Sequence, residues 1–238
     1  MNRKVSAAAV LAAMCLLAAG CKTERAPSAP PVSAAGIPPA SSQVPLSKPI
    51  TQFSKTISLF DGKSLAGWKG SAFGTDGEIM ADKGALVIGM GGPLSGVTYT
   101  NDSLLPKIDY EIELDARRTL GNDFFCGLTF PVADSFCTLI VGGWGGTLVG
   151  LSSLDDLDAS ENETTKFLYF EDKRWYHIRL AVLANRMQVW IDKDKVIDVN
   201  TTGKKISLRS GEIALSKPLG FATYSATAEL KNIVLKTN

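Results

Sequence analysis

The sequence predicts an all-β fold in which two antiparallel sheets pack as a sandwich. The alternation is clearest in residues 174–192 (RWYHIRLAVLANRMQVWID), where apolar side chains take every second position before and after Ala184 and Asn185. This period of two is typical of strands with one buried face. About a dozen short segments of this kind follow one another from residue 57 onward, with turn residues between them and no sustained helical period. These features together favour an antiparallel sandwich.

The central segment predicts a β-hairpin with a two-residue loop at Ala184 and Asn185. A one-residue slip would spoil both faces of the hairpin, so the register is well specified. The loop is its weak point, because a type I′ turn needs positive φ at both positions and only Asn185 tolerates that well. A three-residue loop is the alternative. The predicted cross-strand pairs are Ile178–Ile191, Arg179–Trp190, Leu180–Val189, Ala181–Gln188, Val182–Met187 and His177–Asp192.

The first 21 residues have the features of a secretory signal. Two basic residues in positions 1–4 precede a short run of small and apolar residues, and LAAGC ends this segment at Cys21. A cysteine after small residues resembles the lipobox of bacterial lipoproteins, although the usual leucine position holds Ala18. An ordinary signal peptide with a chance cysteine is the alternative. A lipidated Cys21 would give stable membrane anchoring, and Lys22 after it favours the outer membrane, by analogy with lipoproteins in general.

Residues 22–56 are rich in Pro, Ala and Ser and contain few large apolar side chains. Such a composition predicts an extended tether, because it buries no core. The folded domain is therefore predicted to cover residues 57–238. The chain has 25 Lys and Arg against 24 Asp and Glu. The charges are nearly balanced and there is no basic tract, so the sequence does not indicate a nucleic-acid partner. The oligomeric state is left open.

Two cysteines remain in the folded part. Cys126 and Cys137 flank Pro131 to Asp134, and an exported chain meets an oxidising environment. This arrangement predicts a disulfide that closes a hairpin between the two cysteines. Because the folded part has only these two cysteines and His177, it is unsuited to a structural zinc site.

Several segments resemble the bacterial 3-keto-disaccharide hydrolase domain family. They are LFDGKSLAGW at 59–68, DKGALVIG at 82–89, DYEIEL at 109–114, WYHIRL at 175–180, NRMQVWID at 185–192 and AELKNIVL at 228–235. The resemblance implies a concanavalin A-like jelly roll, a fold shared with laminin-G-like and glucan-active domains. It also implies hydrolysis of a glycosidic bond in a disaccharide or 3-keto-glycoside. The sequence departs from the family where GNDFFCG at 121–127 replaces a common Gly-Asn-Ser-Gly segment, and Ala184 replaces a frequent glycine.

A row of carboxylates on one strand is the candidate catalytic group. Glu111, Glu113 and Asp115 alternate along the strand, which places neighbours about 6.5–7 Å apart at the backbone. Glycoside hydrolysis needs two carboxyl groups about 5–9.5 Å apart. A solvated sheet face is the alternative explanation for the row.

The polar face of the central hairpin is the candidate ligand surface. A tryptophan beside hydrogen-bonding groups suits a sugar ring, although a self-contained cross-strand pair is the alternative for Arg179 and Trp190. His177 opposite Asp192 could be an oriented base or a structural pair. If the carboxylate strand lies in the same sheet, it adds its own polar residues to this surface. The predicted ligand-binding residues are His177, Arg179, Gln188, Trp190, Asp192 and Arg117.

Trp144 is a further candidate ligand residue. It lies among four glycines, where it could stack on a ligand from a loop tip or plug the fold. The acidic stretch 154–163 contains Asp155, Asp156 and Asp158, which could hold Ca²⁺ through oxygen ligands. A solvated acidic loop is the alternative for that stretch.

Two functions from different classes therefore remain open. One is a membrane-anchored enzyme that cleaves glycosidic bonds with the strand carboxylates. The other is a lipoprotein that binds a carbohydrate or surface ligand without catalysis.

Overall fold

The computed structural model describes residues 53–238, which form two antiparallel sheets around a shared core. The predicted signal, Cys21 and nearly all of the 22–56 tether lie outside the described residues. The first strand begins at Lys55, two residues before the predicted start of the domain at residue 57. The strands are β1 (Lys55–Ser58), β2 (Trp68–Gly70), β3 (Ile79–Asp82), β4 (Ala85–Ile88), β5 (Leu94–Tyr99), β6 (Tyr110–Gly121), β7 (Cys126–Val132), β8 (Ser135–Gly142), β9 (Leu148–Ser152), β10 (Lys166–Phe167), β11 (Tyr176–Leu183), β12 (Arg186–Ile191), β13 (Asp194–Asn200), β14 (Gly220–Tyr224) and β15 (Ala226–Thr237).

The two sheets share the strands almost equally. The eight-stranded sheet has the order β13-β12-β11-β6-β15-β4-β3, with β1 also paired to β15. The seven-stranded sheet has the order β10-β9-β8-β7-β14-β5-β2. This architecture confirms the predicted two-sheet antiparallel jelly roll. Helical structure in the described part is limited to short turns at Asp102–Leu104, Gly143–Gly146 and Glu212–Ser216, and none of its helices is long and apolar enough to cross a membrane.

The central hairpin has the predicted register. Ile178 pairs with Ile191, Arg179 with Trp190, and Leu183 with Arg186 across a two-residue loop. Neither Ala184 nor Asn185 has positive φ, so the loop is not a type I′ turn. The apolar face of the hairpin therefore specifies the register even though the loop lacks the favoured turn type.

The main core lies between the two sheets. From the eight-stranded sheet it receives Ile112, Leu114 and Ile178, and from the seven-stranded sheet it receives Leu139 and Val141. Because side chains alternate along a strand, the remaining residues of these strands point away from the core. The outer face of the eight-stranded sheet is polar. The seven-stranded sheet carries a second apolar cluster, outside the main core: Phe73, Phe124, Ile140, Leu148, Ala159 and Ala222.

The predicted disulfide between Cys126 and Cys137 is wrong in this structure, because both thiols are free and buried. In the β7–β8 hairpin, Cys126 lies opposite Val141, and Cys137 lies opposite Phe130. The two cysteines are thus separated by about 13 Å along the ladder, well beyond the Cα separation that a disulfide spans. Burial raises the pKa of each thiol to about 12, so both stay protonated.

Candidate functional site

The predicted catalytic carboxylates lie on the outer face of β6, in the middle of the eight-stranded sheet. Glu111 and Glu113 both contact Lys236 Nζ of the neighbouring β15, at 3.4 and 2.5 Å. Asp115 accepts a hydrogen bond from Asn232 Nδ2 at 2.6 Å and lies 2.9 Å from His177 Nδ1. Each carboxylate is therefore engaged by a side chain of an adjacent strand.

The two glutamates of the row differ in their electrostatics. Glu111 is only 7% exposed, and burial raises its pKa above the usual value, with the neighbouring Glu113 adding to the effect. Burial also acts to raise the pKa of Glu113, but the hydrogen bonds with Lys236 and Glu111 and the charges of Lys236 and His177 together outweigh it and hold that pKa below the usual value. Lys236 thus stabilises the ionised form of Glu113, and the trio forms a cross-strand ion network.

The predicted ligand residues of the hairpin share this face and are also engaged with neighbours. The Arg179 guanidinium lies 3.8 Å from the centre of the Trp190 ring, and Gln188 donates to Asp198 at 3.0 Å. Asp192 accepts from the backbone N–H of His177 rather than facing its ring. The remaining member, Arg117, donates to Glu229 at 2.6 and 2.9 Å. The structure brings these residues together as a layer of mutually satisfied pairs.

Trp144 is separate from the other predicted ligand residues, because it follows β8 in the seven-stranded sheet. Its side chain is 44% exposed and lines a cavity of about 460 Å³, a size typical of ligand pockets. We call this cavity the Trp144 pocket. It is lined by Leu94, Asp123, Phe124, Thr138, Ile140, Trp144, Ser152, Asp158, Arg209, Ser210, Glu212, Ile213 and Tyr224.

A strained glycine-rich turn presents the Trp144 ring. Trp144 has φ 50° and ψ 54°, a left-handed conformation that costs a non-glycine residue about 1–2 kcal/mol. Asp123 holds this turn in place, because its carboxylate accepts the backbone N–H groups of Gly145 at 3.0 Å and Phe124 at 2.7 Å. Strain maintained by surrounding contacts is common at binding sites, and here it fixes an aromatic ring at the rim of a cavity.

The polar side of the pocket is built around Asp158. Its carboxylate accepts hydrogen bonds from Ser152 Oγ and from the backbone N–H of Ala159, and Arg209 lies 2.5 Å from its second oxygen. The Arg209 guanidinium also lies 5.7 Å from the Trp144 ring centre. An aromatic ring, a guanidinium and hydroxyl groups therefore line the same space.

The three aspartates that were considered as Ca²⁺ ligands meet different partners in the structure. Asp155 and Asp156 contact Lys204 and Lys205, whereas Asp158 is directed to Arg209. The three carboxylates thus meet different cations instead of converging on one point. Within residues 53–238, no group of three or more His, Cys, Asp or Glu side chains is placed to hold a metal ion.

The apolar side of the pocket continues the second apolar cluster. The Phe124 and Tyr224 rings lie 5.8 Å apart, and Ile140 lies beside Phe124 in the same cluster. Gly127 permits this packing, because a Cβ there would lie 2.9 Å from the Phe124 ring. The residues missed by sequence analysis include Phe124, Thr138, Ser152, Arg209 and Tyr224. One usable signal was that β7 and β8 carry no charged residue on either face, which indicates that something covers the outer face as well.

The two-sheet jelly roll thus carries a pocket that combines aromatic and hydrogen-bonding groups, the contacts that a sugar ring uses. The chain belongs to the family of the 3-keto-alpha-glucoside-1,2-lyase-like domain, whose profile matches residues 55–236. This match confirms the family resemblance found in the sequence. No curated protein sequence matches the chain significantly.

Several solved structures of carbohydrate-related proteins are similar to the chain. A carbohydrate binding module from Bacillus subtilis has 15% identity and a TM-score of 0.48, covering 72% of this chain and 96% of its own. A non-specific endo-β-1,3(4)-glucanase from family GH16 has 9% identity and a TM-score of 0.49, covering 79% and 91%. A glycosyl hydrolase family protein from Mycobacterium fortuitum has 11% identity and a TM-score of 0.46, covering 78% and 99%.

Proposed function

We propose that the domain binds a glucoside in the Trp144 pocket. The observation that carries this proposal is the strained turn that holds the Trp144 ring at the rim of a cavity that polar side chains also line. Sugar rings have an apolar face that stacks on aromatic rings and hydroxyl groups that need donors and acceptors. The pocket offers both kinds of contact, and the family description names a glucoside.

The polar wall is organised in advance for such a ligand. The Arg209 guanidinium is oriented by Asp158, which is itself fixed by Ser152 and the backbone of Ala159. Arginine presents several N–H donors in a rigid plane, so donors not directed at Asp158 can bond a sugar hydroxyl. Preorganisation lowers the entropic cost of binding.

The test is a binding titration of the purified protein with glucose, α- and β-linked glucose disaccharides, and their 3-keto forms. We expect Trp144→Ala to weaken binding by about 1–3 kcal/mol, the usual range for loss of a stacking ring. Trp190→Ala is the matched control, because it removes a tryptophan from the outer face of the other sheet. The proposal fails if none of these sugars binds, or if the Trp190 variant loses binding while the Trp144 variant keeps it.

A second candidate is catalysis of 1,2-elimination in the same pocket, which the family description favours. In a 3-keto-glucoside the ketone acidifies the C2–H bond. A base takes that proton, the C1–O bond breaks, and the departing oxygen receives a proton. Asp123, Asp158, Glu212 and Tyr224 are the carboxylic and phenolic side chains that line the pocket. Asp123 is engaged by the backbone N–H groups of Phe124 and Gly145. Asp158 is already engaged by Arg209, Ser152 and Ala159, so Glu212 and Tyr224 are better placed to exchange protons with a ligand.

Elimination and hydrolysis leave different products, so nuclear magnetic resonance separates them. A 3-keto-glucoside that undergoes elimination gains a C1–C2 double bond, whereas hydrolysis adds water and leaves a 3-keto sugar. An unchanged substrate would leave binding as the function. The catalytic role predicted for Glu111, Glu113 and Asp115 stays a prediction; their engagement by Lys236, Asn232 and His177 favours a structural role.

We further propose that Cys21 carries lipid and anchors the domain to a bacterial membrane, the outer membrane in a two-membrane cell. The supports are the LAAGC sequence and Lys22, both in the part of the chain outside the described residues. Changing Cys21→Ser should release the protein from membranes or leave it unprocessed. Unchanged fractionation of that variant would contradict the anchoring proposal.

A further inference from the structure

An arginine lies inside the sandwich near the end of β6. Arg118 follows Ala116 at a spacing of two on this strand, and Ala116 belongs to the main core, so both side chains point between the sheets. The Arg118 side chain is only 9% exposed. Burial of a charged group costs free energy unless its partners compensate for it. An arginine in this place is therefore expected to make contacts that an apolar side chain could not make.

Two of the three guanidinium nitrogens have partners on the segment between β10 and β11. Arg118 Nε donates to Asp172 at 2.7 Å, and Nη2 donates to the carbonyl of Phe170 at 3.2 Å. The third nitrogen, Nη1, is buried and has no hydrogen-bond partner among the described residues. An unpaired buried donor is unfavourable. The guanidinium is thus fixed through two of its nitrogens, and the third serves a packing contact.

The third nitrogen lies against the turn that carries Trp144. We call residues 142–147 the Trp144 turn. A Cβ at Gly146 would lie 2.9 Å from Arg118 Nη1, so the backbone of the turn packs directly on the guanidinium. Gly146 is buried and has φ 104°. A side chain at this position would therefore displace either the turn or the arginine.

The other end of the Trp144 turn packs on a buried aromatic ring. A Cβ at Gly142 would lie 2.9 Å from the Phe125 ring, and the Arg118 guanidinium lies 6.0 Å from the centre of the same ring. Phe125 is itself packed edge-on against Phe170, with ring centres 5.3 Å apart. Arg118 and Phe125 therefore support the two ends of the turn, and Trp144 lies between those ends.

We infer that Arg118 is a positioning residue for the Trp144 ring. Arg118 does not line the pocket; it acts through the turn, because it supports Gly146 and thereby the backbone that carries the ring. Asp123 holds the same turn from the pocket side, through the N–H of Gly145. The inference rests on the proposed function, in which the Trp144 ring contacts the sugar. It makes a residue of the eight-stranded sheet a determinant of binding at the seven-stranded sheet.

The test combines two measurements on the full chain in detergent: titration with glucose, its disaccharides and their 3-keto forms, and nuclear magnetic resonance of the indole N–H groups. The chain has four tryptophans, and the signal lost in Trp144→Phe assigns the Trp144 resonance. Arg118→Met keeps a long unbranched side chain but removes the guanidinium. We expect it to shift the Trp144 signal in the absence of sugar. We also expect it to weaken sugar binding at least about threefold, as part of the about 5- to 150-fold loss that removal of the ring would cause.

A double-mutant cycle separates positioning from general stability. In a Trp144→Ala background there is no ring to position, so Arg118→Met should change affinity by less than about twofold. Arg118→Lys keeps a positive charge for Asp172 but lacks the planar fork that contacts Asp172, Phe170 and the turn at once. We expect lysine to recover unfolding stability more than sugar binding. A residue with a structural role alone would recover both together.

Gly146→Ala tests the same contact from the side of the turn, because the added methyl group would meet Arg118 Nη1. We expect this variant to shift the Trp144 signal as well. The matched control is Arg174→Met, which removes a guanidinium that lies 4.1 Å from the centre of the Tyr176 ring and pairs with Asp192. The control should leave the Trp144 signal and the affinity unchanged. Thermal unfolding of each variant shows whether it is folded.

The Trp144 signal decides the inference with or without a bound sugar. An unchanged signal in both Arg118→Met and Gly146→Ala overturns the inference. An equal effect of Arg118→Met on affinity with and without the Trp144 ring also overturns it, as does a shift of the same size in the Arg174 control. If Arg118→Met does not fold, Arg118→Lys and Gly146→Ala give the same two readouts. If no sugar binds the unaltered protein, the proposed function fails alone, and the indole signals still show whether Arg118 positions the ring.

Discussion

The outer faces of the two sheets carry similar residue types but differ in how those residues are arranged. On the eight-stranded sheet, Trp190 stacks under Arg179 at 3.8 Å, and Lys236 bridges two carboxylates. On the seven-stranded sheet, Trp144 is 44% exposed, and the nearest guanidinium lies 5.7 Å from its ring. The first face satisfies its own groups, whereas the second leaves an aromatic surface available beside a cavity. Residue type alone therefore does not define a binding site.

The difference arises from the segments that lie over the seven-stranded sheet. The loop after β9 brings Asp158, and the segment before β14 brings Arg209, Glu212 and Ile213, to the edge of the Trp144 pocket. A cavity forms where these segments and the outer residues of β8 leave space between them. On the eight-stranded sheet, the candidate residues instead pair with neighbours in adjacent strands.

Among the variants that test this comparison, Lys236→Met is expected to change stability the most. This change keeps the aliphatic stem but leaves Glu111 and Glu113 facing each other without their shared cation. Because Glu111 is buried, we expect the free energy of unfolding to fall by about 2–3 kcal/mol. This loss is smaller than the loss expected for a fully buried ion pair, because Lys236 is partly exposed. Urea unfolding measures this change, and glucoside binding should be unaffected.

A double variant serves as its control. Adding Glu113→Gln to Lys236→Met removes one of the two facing charges and should recover part of the lost stability. If Lys236→Met alone is as stable as the unaltered protein, the ion network does not contribute to stability. A loss of glucoside binding in the single variant would show that the two faces are not independent.

The same network predicts a dependence of stability on acid. Lys236 holds the pKa of Glu113 below its usual value, so Glu113 stabilises the folded state above the unfolded pKa of 4.5. This contribution is lost as the pH falls through the folded pKa. Glu111 acts in the opposite direction, because its raised pKa lets the folded state take up a proton more readily. Between pH 6 and pH 3, the Lys236→Met variant should therefore lose less stability than the unaltered protein, as measured by urea unfolding. An equal loss in the two proteins would exclude Glu113 as the source of the acid dependence.

Asp158→Asn should affect both stability and binding, in contrast to Lys236→Met. The change weakens the contact with Arg209 and the hydrogen bonds from Ser152 and Ala159. We expect a loss of about 1–2 kcal/mol in unfolding free energy, together with weaker glucoside binding as Arg209 loses its orientation. Asp156→Asn is the control, because Asp156 pairs with Lys205 outside the pocket. Equal binding by both variants would contradict the role given to Asp158.

Sequence patterns predicted the fold well because alternation is a property of each strand by itself. The hairpin register followed from Ile178, Leu180 and Val182 facing their apolar partners, and the structure confirms it. The disulfide prediction failed because the spacing of Cys126 and Cys137 does not reveal the hairpin turn. That turn lies at Ala133 and Asp134, three residues from Cys137 but seven from Cys126, so the two sulfurs are offset along the ladder.

The pocket was harder to predict than the fold, because it depends on contacts between distant segments. Asp123, Trp144, Asp158 and Arg209 come from four separate loops, and no local pattern places them together. Sequence analysis favoured the face with alternating charges, but such alternation also arises from cross-strand ion pairs. The cluster of glycines around Trp144 was the best local signal, because left-handed turns favour glycine and a tryptophan among them needs a reason.

The smallest expected effect separates the strain at Trp144 from its role in binding. Because Trp144 has φ 50°, glycine should fit its backbone conformation better than alanine. Trp144→Gly should therefore be about 0.5–1 kcal/mol more stable than Trp144→Ala in urea unfolding, although both lose the same ring and the same glucoside contact. Both variants remove the Trp144 side chain beyond Cβ, so contacts of the indole cancel in the comparison. Equal stability would mean that the turn relaxes when the ring is removed, and that the ring itself imposes the left-handed backbone. A more stable glycine variant with equally weak binding would show that the fold maintains a strained turn in order to present an aromatic surface to the ligand.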